Sequence, residues 1–552
     1  MLKIIARQNW PRFAVVLLLV LWTVASYAPC LNGPFFFDDE HFIQKNSLIH
    51  SLDHVPELYT STVTQGAAIK GNFYRPNQQL VYALLYHYYG QSTTIPYHLV
   101  SLMLHIASGI LILLWLGRLG LGLFPAATGA ALFLLHPVQT EAICYISGLA
   151  DPLATFFMLV ALVLVTPPMS VSASTNASQR FSWIQVIAVV LFMTLALFTK
   201  ENSVVLAPFV LLSVGAQCLA RKVRLDRSQV VITGAVIVLA ILSVVAKFTL
   251  FKFGDAVGLT DATNLYTESL ILRLTTFVSV LWDYVCLIFW PKALFYEKPY
   301  TAYEGLMHAR GAFGSAIILL GLLPLFWGAR VPRLALGVGM VLAALIPFSG
   351  IVPLNAMYLE HWLYVPMIGI ALLLALTVEG LTKWLHRRRV AQPLFIATAL
   401  VVACSAVART RTRSAEWANI EAFYLNEIDH AKNPGRIYNN LGMYYADLRD
   451  EARAIKYYEL AVGSDTGRIF AQPHHNLALA YVHADRMPEA MRELRAALQV
   501  DHEFIYSLSV LRDIFARQSD ARRQLLVESA MADVKAGRTY DFPAFEAAVF
   551  AD

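Results

Sequence analysis

Up to about residue 410 the apolar residues fall in long, nearly unbroken runs separated by short polar and basic segments. A helix needs about 20 predominantly apolar residues to cross a hydrocarbon core of about 30 Å. Runs that qualify lie near 12–29, 97–117, 122–136, 150–166, 183–199, 203–219, 229–250, 312–328, 334–350, 360–382 and 392–409. A further stretch, 271–290, is apolar but ambiguous. The pattern predicts an all-α, polytopic helical membrane domain over 1–410, with about 11 transmembrane helices.

From 411 to 552 the apolar residues are spaced as on amphipathic helices, and the spacing repeats. Leu441-Gly442, Tyr445, Ala454, Tyr458 and Ala461 recur as Leu477-Ala478, Tyr481, Ala490, Leu494 and Ala497, each pair 36 residues apart. Small residues where two antiparallel helices touch, with large ones between them, form the tetratricopeptide (TPR) pattern. Its usual period is 34, which predicts a two-residue insertion near 465–473. Segments 416–430 and 503–535 read as degenerate flanking or capping units. A stack of such repeats presents a concave groove suited to an extended peptide, or serves only as a stabilising cap.

Composition agrees with this division. The 552 residues are 57% hydrophobic, 12% aromatic and 15% charged, with a mean hydropathy of +0.54. A soluble domain is about 25% charged, so an ordinary soluble enzyme is excluded, as is a disordered chain. Residues 411–552 hold 17 Lys+Arg and 21 Asp+Glu, and the first 410 hold 26 and 17. The net +5 does not suggest nucleic acid and reads as loop charge that sets membrane orientation. Cys30, Cys144, Cys218, Cys286 and Cys404 form no ligand spacing, so no disulfide framework or zinc site follows.

Lys3, Arg7 and Arg12 precede the run Phe13–Ala28. A signal peptide has this shape, but no clear small-residue cleavage site follows, which favours an uncleaved first span. Placing these residues with Arg118, Arg221/Lys222/Arg224/Arg227, Arg330/Arg333 and Lys383/Arg387/Arg388/Arg389 in the cytoplasm requires eleven spans, with 271–290 in or on the outer leaflet. The N-terminus is then inside and the repeats outside. The sequon Asn176-Ala177-Ser178 falls inside and stays unglycosylated.

This topology collects ionisable residues at the outer face, where each is expensive. Asp38-Asp39-Glu40 follow Phe35, Phe36 and Phe37; adjacent acids raise each other's proton affinity and suit a general base, or they cap a short helix. Tyr74-Arg75-Pro76 sets a guanidinium fork near the interface, either for phosphate or for lipid headgroups. His98 and His105 share one helix face. His136, Glu141 and Asp151 lie among Pro and Gly breaks, suggesting a broken helix around a wet cavity. Lys200-Glu201 and Glu360-His361 with Tyr364 complete the set. Acids, cations and histidines at one level are the parts needed to move a group from a lipid-phosphate donor: one base for the acceptor hydroxyl, and cations for the leaving phosphate.

The ordered series FFFDDEHFI, NFYRPNQQL, PYHLVSLMLH, HPVQTEAICYISGLAD, LFTKENS and PFSGIVPLNAMYLEHWLYVP, followed by repeats, resembles the transmembrane and TPR repeat-containing (TMTC) O-mannosyltransferases and their bacterial relatives, of the GT-C superfamily. The resemblance implies catalysis by Asp38, with Asp39 the alternative. It implies donor and phosphate binding by Arg75, Tyr74, Lys200, His98 and His105, in a cavity lined by His136, Glu141, Asp151, Glu201, Glu360, His361 and Tyr364. The chain departs from the family at Leu149 and His361, where Arg is common, at Gln139 for His, and at Ser101 for Asn.

These readings converge on a GT-C-fold membrane glycosyltransferase that takes a polyprenyl- or dolichyl-phosphate-linked sugar and inverts the anomeric centre. It acts on a protein or peptide presented by the repeats on the extracytoplasmic side. Mannose follows from the resemblance alone. A lipid or glycan acceptor, and a non-catalytic scaffold for secretion or polysaccharide export, are the rival readings; a transporter is a weaker one, because no matched pair of broken helices is visible. No cofactor is expected beyond the donor, although adjacent acids such as Asp38 and Asp39 are able to hold a divalent metal. Short repeats favour a bacterial inner membrane, or an ER membrane if the source is eukaryotic.

Overall fold

The computed structural model describes residues 2–67, 71, 73–168, 181–250, 269–292, 294–296, 302–354, 356–385, 391–431 and 433–550. The sequon at Asn176 and Arg387–Arg389 of the last basic cluster lie outside them. No β-strand occurs among the described residues, and the fold is all-α. The chain forms two compact units, Met1–Asn419 and Ile420–Asp552. The expected boundary at 410/411 falls within a helix that runs on to Trp417. Its buried Thr410, Arg413, Ser414 and Trp417 belong to the first unit.

The first unit comprises α1 (Leu2–Tyr27), α2 (Pro76–Tyr89), α3 (Ile95–Arg118), α4 (Leu123–Leu135), α5 (Ala150–Leu164), α6 (Trp183–Leu197), α7 (Leu206–Arg221), α8 (Arg227–Thr249), α9 (Leu270–Phe289), α10 (Ala309–Phe326), α11 (Pro332–Leu345), α12 (Pro366–Leu385) and α13 (Ala391–Trp417). Every expected run falls on an apolar helix. Among the described residues, 9 helical stretches are long and apolar enough to cross a membrane, α9 among them; three expected spans, Leu123–Leu135, Trp183–Leu197 and Pro332–Phe348, are shorter. α4 stops short because its last carbonyls meet the His136-Pro137 break, where Pro brings no N–H to continue the ladder. Close helix approach uses glycine: a Cβ on Gly369 of α12 would lie 2.7 Å from the Gly337 carbonyl oxygen of α11.

Contacts mark two rims. At one, Arg118 donates to the Val163 carbonyl at the end of α5, and Arg333 pairs with Glu379 near the end of α12. At the other, α9 meets the ends of three helices. Arg273 donates to the Gly350 carbonyl just beyond α11 (2.6 Å), Asp283 accepts two hydrogen bonds from Arg310 in the first turn of α10 (2.9 and 2.7 Å), and the Ile288 carbonyl meets His136 Nε2 just beyond α4 (2.9 Å). These three contacts are spread along most of α9, so the helix follows this rim. Its outward face carries Ile271, Leu274, Trp282 and Phe289, and its inward face Thr276, Ser279 and Tyr284, as suits a helix lying at an interface.

The second unit contains α14 (Ile420–His430), the pairs α15 (Gly435–Asp447) with α16 (Glu451–Val462), α17 (Ala471–His483) with α18 (Met487–Val500) and α19 (Ile505–Arg517) with α20 (Ala521–Lys535), then α21 (Phe542–Val549). Leu441, Tyr445, Ala454, Tyr458, Leu477, Tyr481, Ala490 and Leu494 are all buried, as the repeat requires. The expected insertion is a short helix, Asp465–Ile469. Each pair turns on one left-handed residue, Arg449, Asp485 or Ser519, followed by an N–H from Asp450, Arg486 or Asp520 to the carbonyl of Tyr445, Tyr481 or Phe515. The same turn thus occurs three times, and 503–535 is a full third pair rather than a degenerate cap.

Candidate active site

After α1 the chain turns through Ala28–Asn32 into the acidic segment. Phe37 has φ 53°, a left-handed conformation that is strained for a bulky residue and is retained where surroundings impose it. Glu40–Gln44 then form a π-helical turn, a feature frequent at functional sites. This kink sends the two aspartates in opposite directions. Asp39 is fully buried: Oδ1 accepts from the Ser147 N–H (2.8 Å) and hydroxyl (2.5 Å), and Oδ2 from the Phe36 N–H (3.2 Å). Burial, reinforced by the neighbouring Asp38 charge and opposed by these donors, pushes its carboxyl up to about 7. Asp38 is exposed; its backbone N–H donates to the Tyr145 hydroxyl (3.0 Å), and its carboxylate has no hydrogen-bond partner among the described residues. Aromatic rings stand beside it, with Phe37 stacked on Tyr296 at 4.9 Å and Tyr145 on Trp417 at 5.8 Å. Asp39 is therefore an anchor, which corrects its expected place as the alternative base.

A second group forms where α2 begins. Asn77 donates to the Leu195 carbonyl (2.8 Å), and its N–H to the Phe198 carbonyl (3.1 Å), stitching α2 to the end of α6. This brings Arg75 to Glu201, whose Oε2 accepts from Nε (3.1 Å) and Nη2 (3.0 Å). Arg75 also lies over the Phe73 ring at 4.4 Å. Lys200 Nζ donates to Asp151 Oδ1 at 2.6 Å, and Lys247 Nζ stands 4.0 Å from Glu201 Oε1. Gln78 joins the two groups: its amide donates to the Ser147 carbonyl (2.8 Å), the residue that holds Asp39, and to the Tyr82 hydroxyl, which donates to Ile146 (2.7 Å).

The remaining expected residues surround this frame. Glu141 takes the His361 N–H at Oε2 (2.9 Å) and meets His361 Nδ1 at Oε1 (2.6 Å). Buried Glu360 accepts from the Phe295 N–H (2.7 Å). His136 contacts Ile288 as described. Three residues expected to bind the donor make contacts that hold the fold, although His98 Nδ1 has no partner among the described residues. His105 is fully buried, with Nε2 on the Leu134 carbonyl (3.1 Å) and Nδ1 on the Tyr364 hydroxyl (2.8 Å), so neither nitrogen is left for a phosphate oxygen. His98 fixes the turn after α1 through the Gly33 carbonyl (3.1 Å), and the Tyr74 hydroxyl is spent on the Tyr59 carbonyl (2.8 Å). Sequence reasoning passed over Ser147, Tyr145, Tyr296 and Trp417, whose identities carry no signal before folding. It also passed over Lys247, which did carry one as a lone cation in an apolar span. Among the described residues no three His, Cys, Asp or Glu side chains cluster as metal ligands.

The chain is 30% identical over 156 residues to a protein O-mannosyl-transferase of Caenorhabditis elegans, covering 27% of this chain and 22% of that protein. It is 23% identical over 511 residues to protein O-mannosyl-transferase TMTC3 of Mus musculus (87% and 54%), and 21% over 503 residues to protein O-mannosyl-transferase TMTC4 of Homo sapiens (81% and 66%). It thus spans less than two thirds of the length of these relatives. Residues 435–466 match the tetratricopeptide repeat family. No solved structure matches. The similarity over most of the chain, joined to the repeat, makes the chain TMTC-like.

Proposed function

We propose that this TMTC-like chain is a multi-pass membrane glycosyltransferase of the GT-C type. It transfers a sugar, mannose in the name of its relatives, from a polyprenyl- or dolichyl-phosphate-linked donor to a protein hydroxyl on the extracytoplasmic side. The observation that carries the reading is an outward carboxylate, Asp38, with no hydrogen-bond partner among the described residues, next to Asp39, which Ser147 and Gln78 tie to the helix that begins beside Arg75 and its basic group with Lys200 and Lys247. The proposed orientation puts this group outside, at helix ends opposite Arg118, Arg221 and Arg333, which the excess of basic residues assigns to the cytoplasm.

The acceptor oxygen attacks the anomeric carbon from the face opposite the phosphate, and Asp38 takes the hydroxyl proton. The bond from the anomeric carbon to the phosphate oxygen breaks, and its electron pair leaves on the polyprenyl phosphate. Inversion follows from this single displacement. The cations stabilise charge that grows on the leaving group, in a site where water is scarce. Asp39 takes no proton in this scheme; it holds the strained turn that aims Asp38.

Asp38→Asn in the full chain, reconstituted in nanodiscs with polyprenyl-phosphate-mannose and a protein acceptor, should transfer sugar about 100-fold more slowly or worse. Donor binding and thermal stability should be unchanged. Transfer at the wild-type rate would remove Asp38 as base, and the reading with it.

A further inference from the structure

Lys247 is the basic residue of the last turn of α8, in a stretch otherwise rich in apolar residues. A lysine there costs free energy unless it is paired or used. The bland explanation is a helix C-terminus that favours positive charge, or simple neutralisation of Glu201. Geometry goes further. Nζ is shielded from solvent, makes no hydrogen bond among the described residues, and stands 4.0 Å from Glu201 Oε1, which likewise has none among them. Arg75 already occupies Glu201 Oε2, and Lys200 already occupies Asp151. Three cations therefore face two carboxylates, and among the described residues Lys247 is the one of the three that makes no hydrogen bond. The flanks of α8 at this level, Val244, Val245, Phe248 and Leu250, are exposed and apolar. A lipid tail would find an apolar surface there.

We propose that Lys247, with Arg75, binds the phosphate of the lipid-linked donor, its ammonium contacting a non-bridging phosphate oxygen. This rests on the transferase reading and names one of its residues. A phosphodiester joining a sugar to a polyprenol carries one negative charge, which matches the single surplus cation. As the anomeric carbon–oxygen bond breaks, the departing phosphate gains further charge, so the Lys247 contact strengthens along the reaction.

The test is binding of undecaprenyl phosphate to the full chain in phosphatidylglycerol nanodiscs, with undecaprenol as the phosphate-free control. Wild type should prefer the phosphate. Lys247→Gln should weaken it about tenfold or more, as loss of a charge-assisted contact does, and Lys247→Arg should retain most of it. Undecaprenol binding should not change. Glu201→Gln, which removes a competing carboxylate, should tighten phosphate binding, and that gain should shrink when Lys247→Gln is added; an equal gain in both backgrounds would assign it to Arg75 alone and overturn the role of Lys247. Wild-type affinity in Lys247→Gln, alongside weakened binding in Arg75→Gln, would overturn the role of Lys247 and leave the transferase reading standing. Absence of any wild-type preference over undecaprenol or phosphatidylglycerol would overturn both.

Discussion

Two adjacent aspartates with the same chemistry acquire different work from a single left-handed residue. With Phe37 at φ 53°, Asp39 turns inward onto Ser147 and Phe36 while Asp38 faces outward. Sequence reasoning placed both at the reaction centre, with Asp38 favoured. It lacked the means to separate them, because Ser147 lies more than 100 residues away and offers backbone as well as hydroxyl. The burial of Asp39 has a measurable consequence. Its carboxyl is pushed up to about 7, against about 4 in an unfolded chain. The folded state therefore holds this proton more tightly, and the stability so gained is fully present below about pH 4 and lost as pH rises through about 7. Thermal unfolding of the full chain followed by tryptophan fluorescence should show a midpoint that falls across this window. Asp39→Asn should be less stable in acid and should flatten the slope; parallel slopes in the two proteins would mean that Asp39 is ionised throughout.

Helices were the most legible level. Each expected apolar run is a helix, because a long run of apolar residues satisfies its own backbone only in that form. Length and composition alone place α9 among the spanning helices. Agreement among the basic clusters instead places it at the outer leaflet; its contacts at Arg273, Asp283 and Ile288 are with the ends of three helices. Ser269→Cys and Lys292→Cys, one at each end of α9, should both react with a membrane-impermeant maleimide from one side of sealed vesicles. Labelling from opposite sides would mean that α9 crosses and that the topology after it is reversed. The third repeat pair was less legible. It keeps Leu511 and Phe515 at the positions of Leu441 and Tyr445, but carries Arg512 and Gln524 where the earlier pairs have small residues. The left-handed turn at Ser519 marks the repeat, and the three turns carry Arg, Asp and Ser at that position, so no single residue type signals it.

The chain's two compact units have separate interiors, so injury to one should spare the chemistry of the other. The site residues of the first unit are drawn from positions 38 to 247 and meet through Ser147, Gln78 and Asn77. The fold of the second rests on close approach of paired helices. Gly442 is a tight point where the two helices of its first pair meet: a Cβ there would lie 2.6 Å from carbons of the buried Tyr458 ring. Neither α15 nor the ring has room to yield, so Gly442→Val should destabilise the second unit by about 2 kcal/mol, as overpacking does. If the repeats present the acceptor, this variant should still bind undecaprenyl phosphate within about twofold of wild type, since a change in the interior of a separate compact unit adds little to that site. Sugar transfer to a protein acceptor should fall about tenfold or more as the groove loosens. Limited proteolysis would show the second unit cut first. Intact transfer despite that cleavage would reduce the repeats to a cap, and the acceptor would then be recognised within the first unit itself.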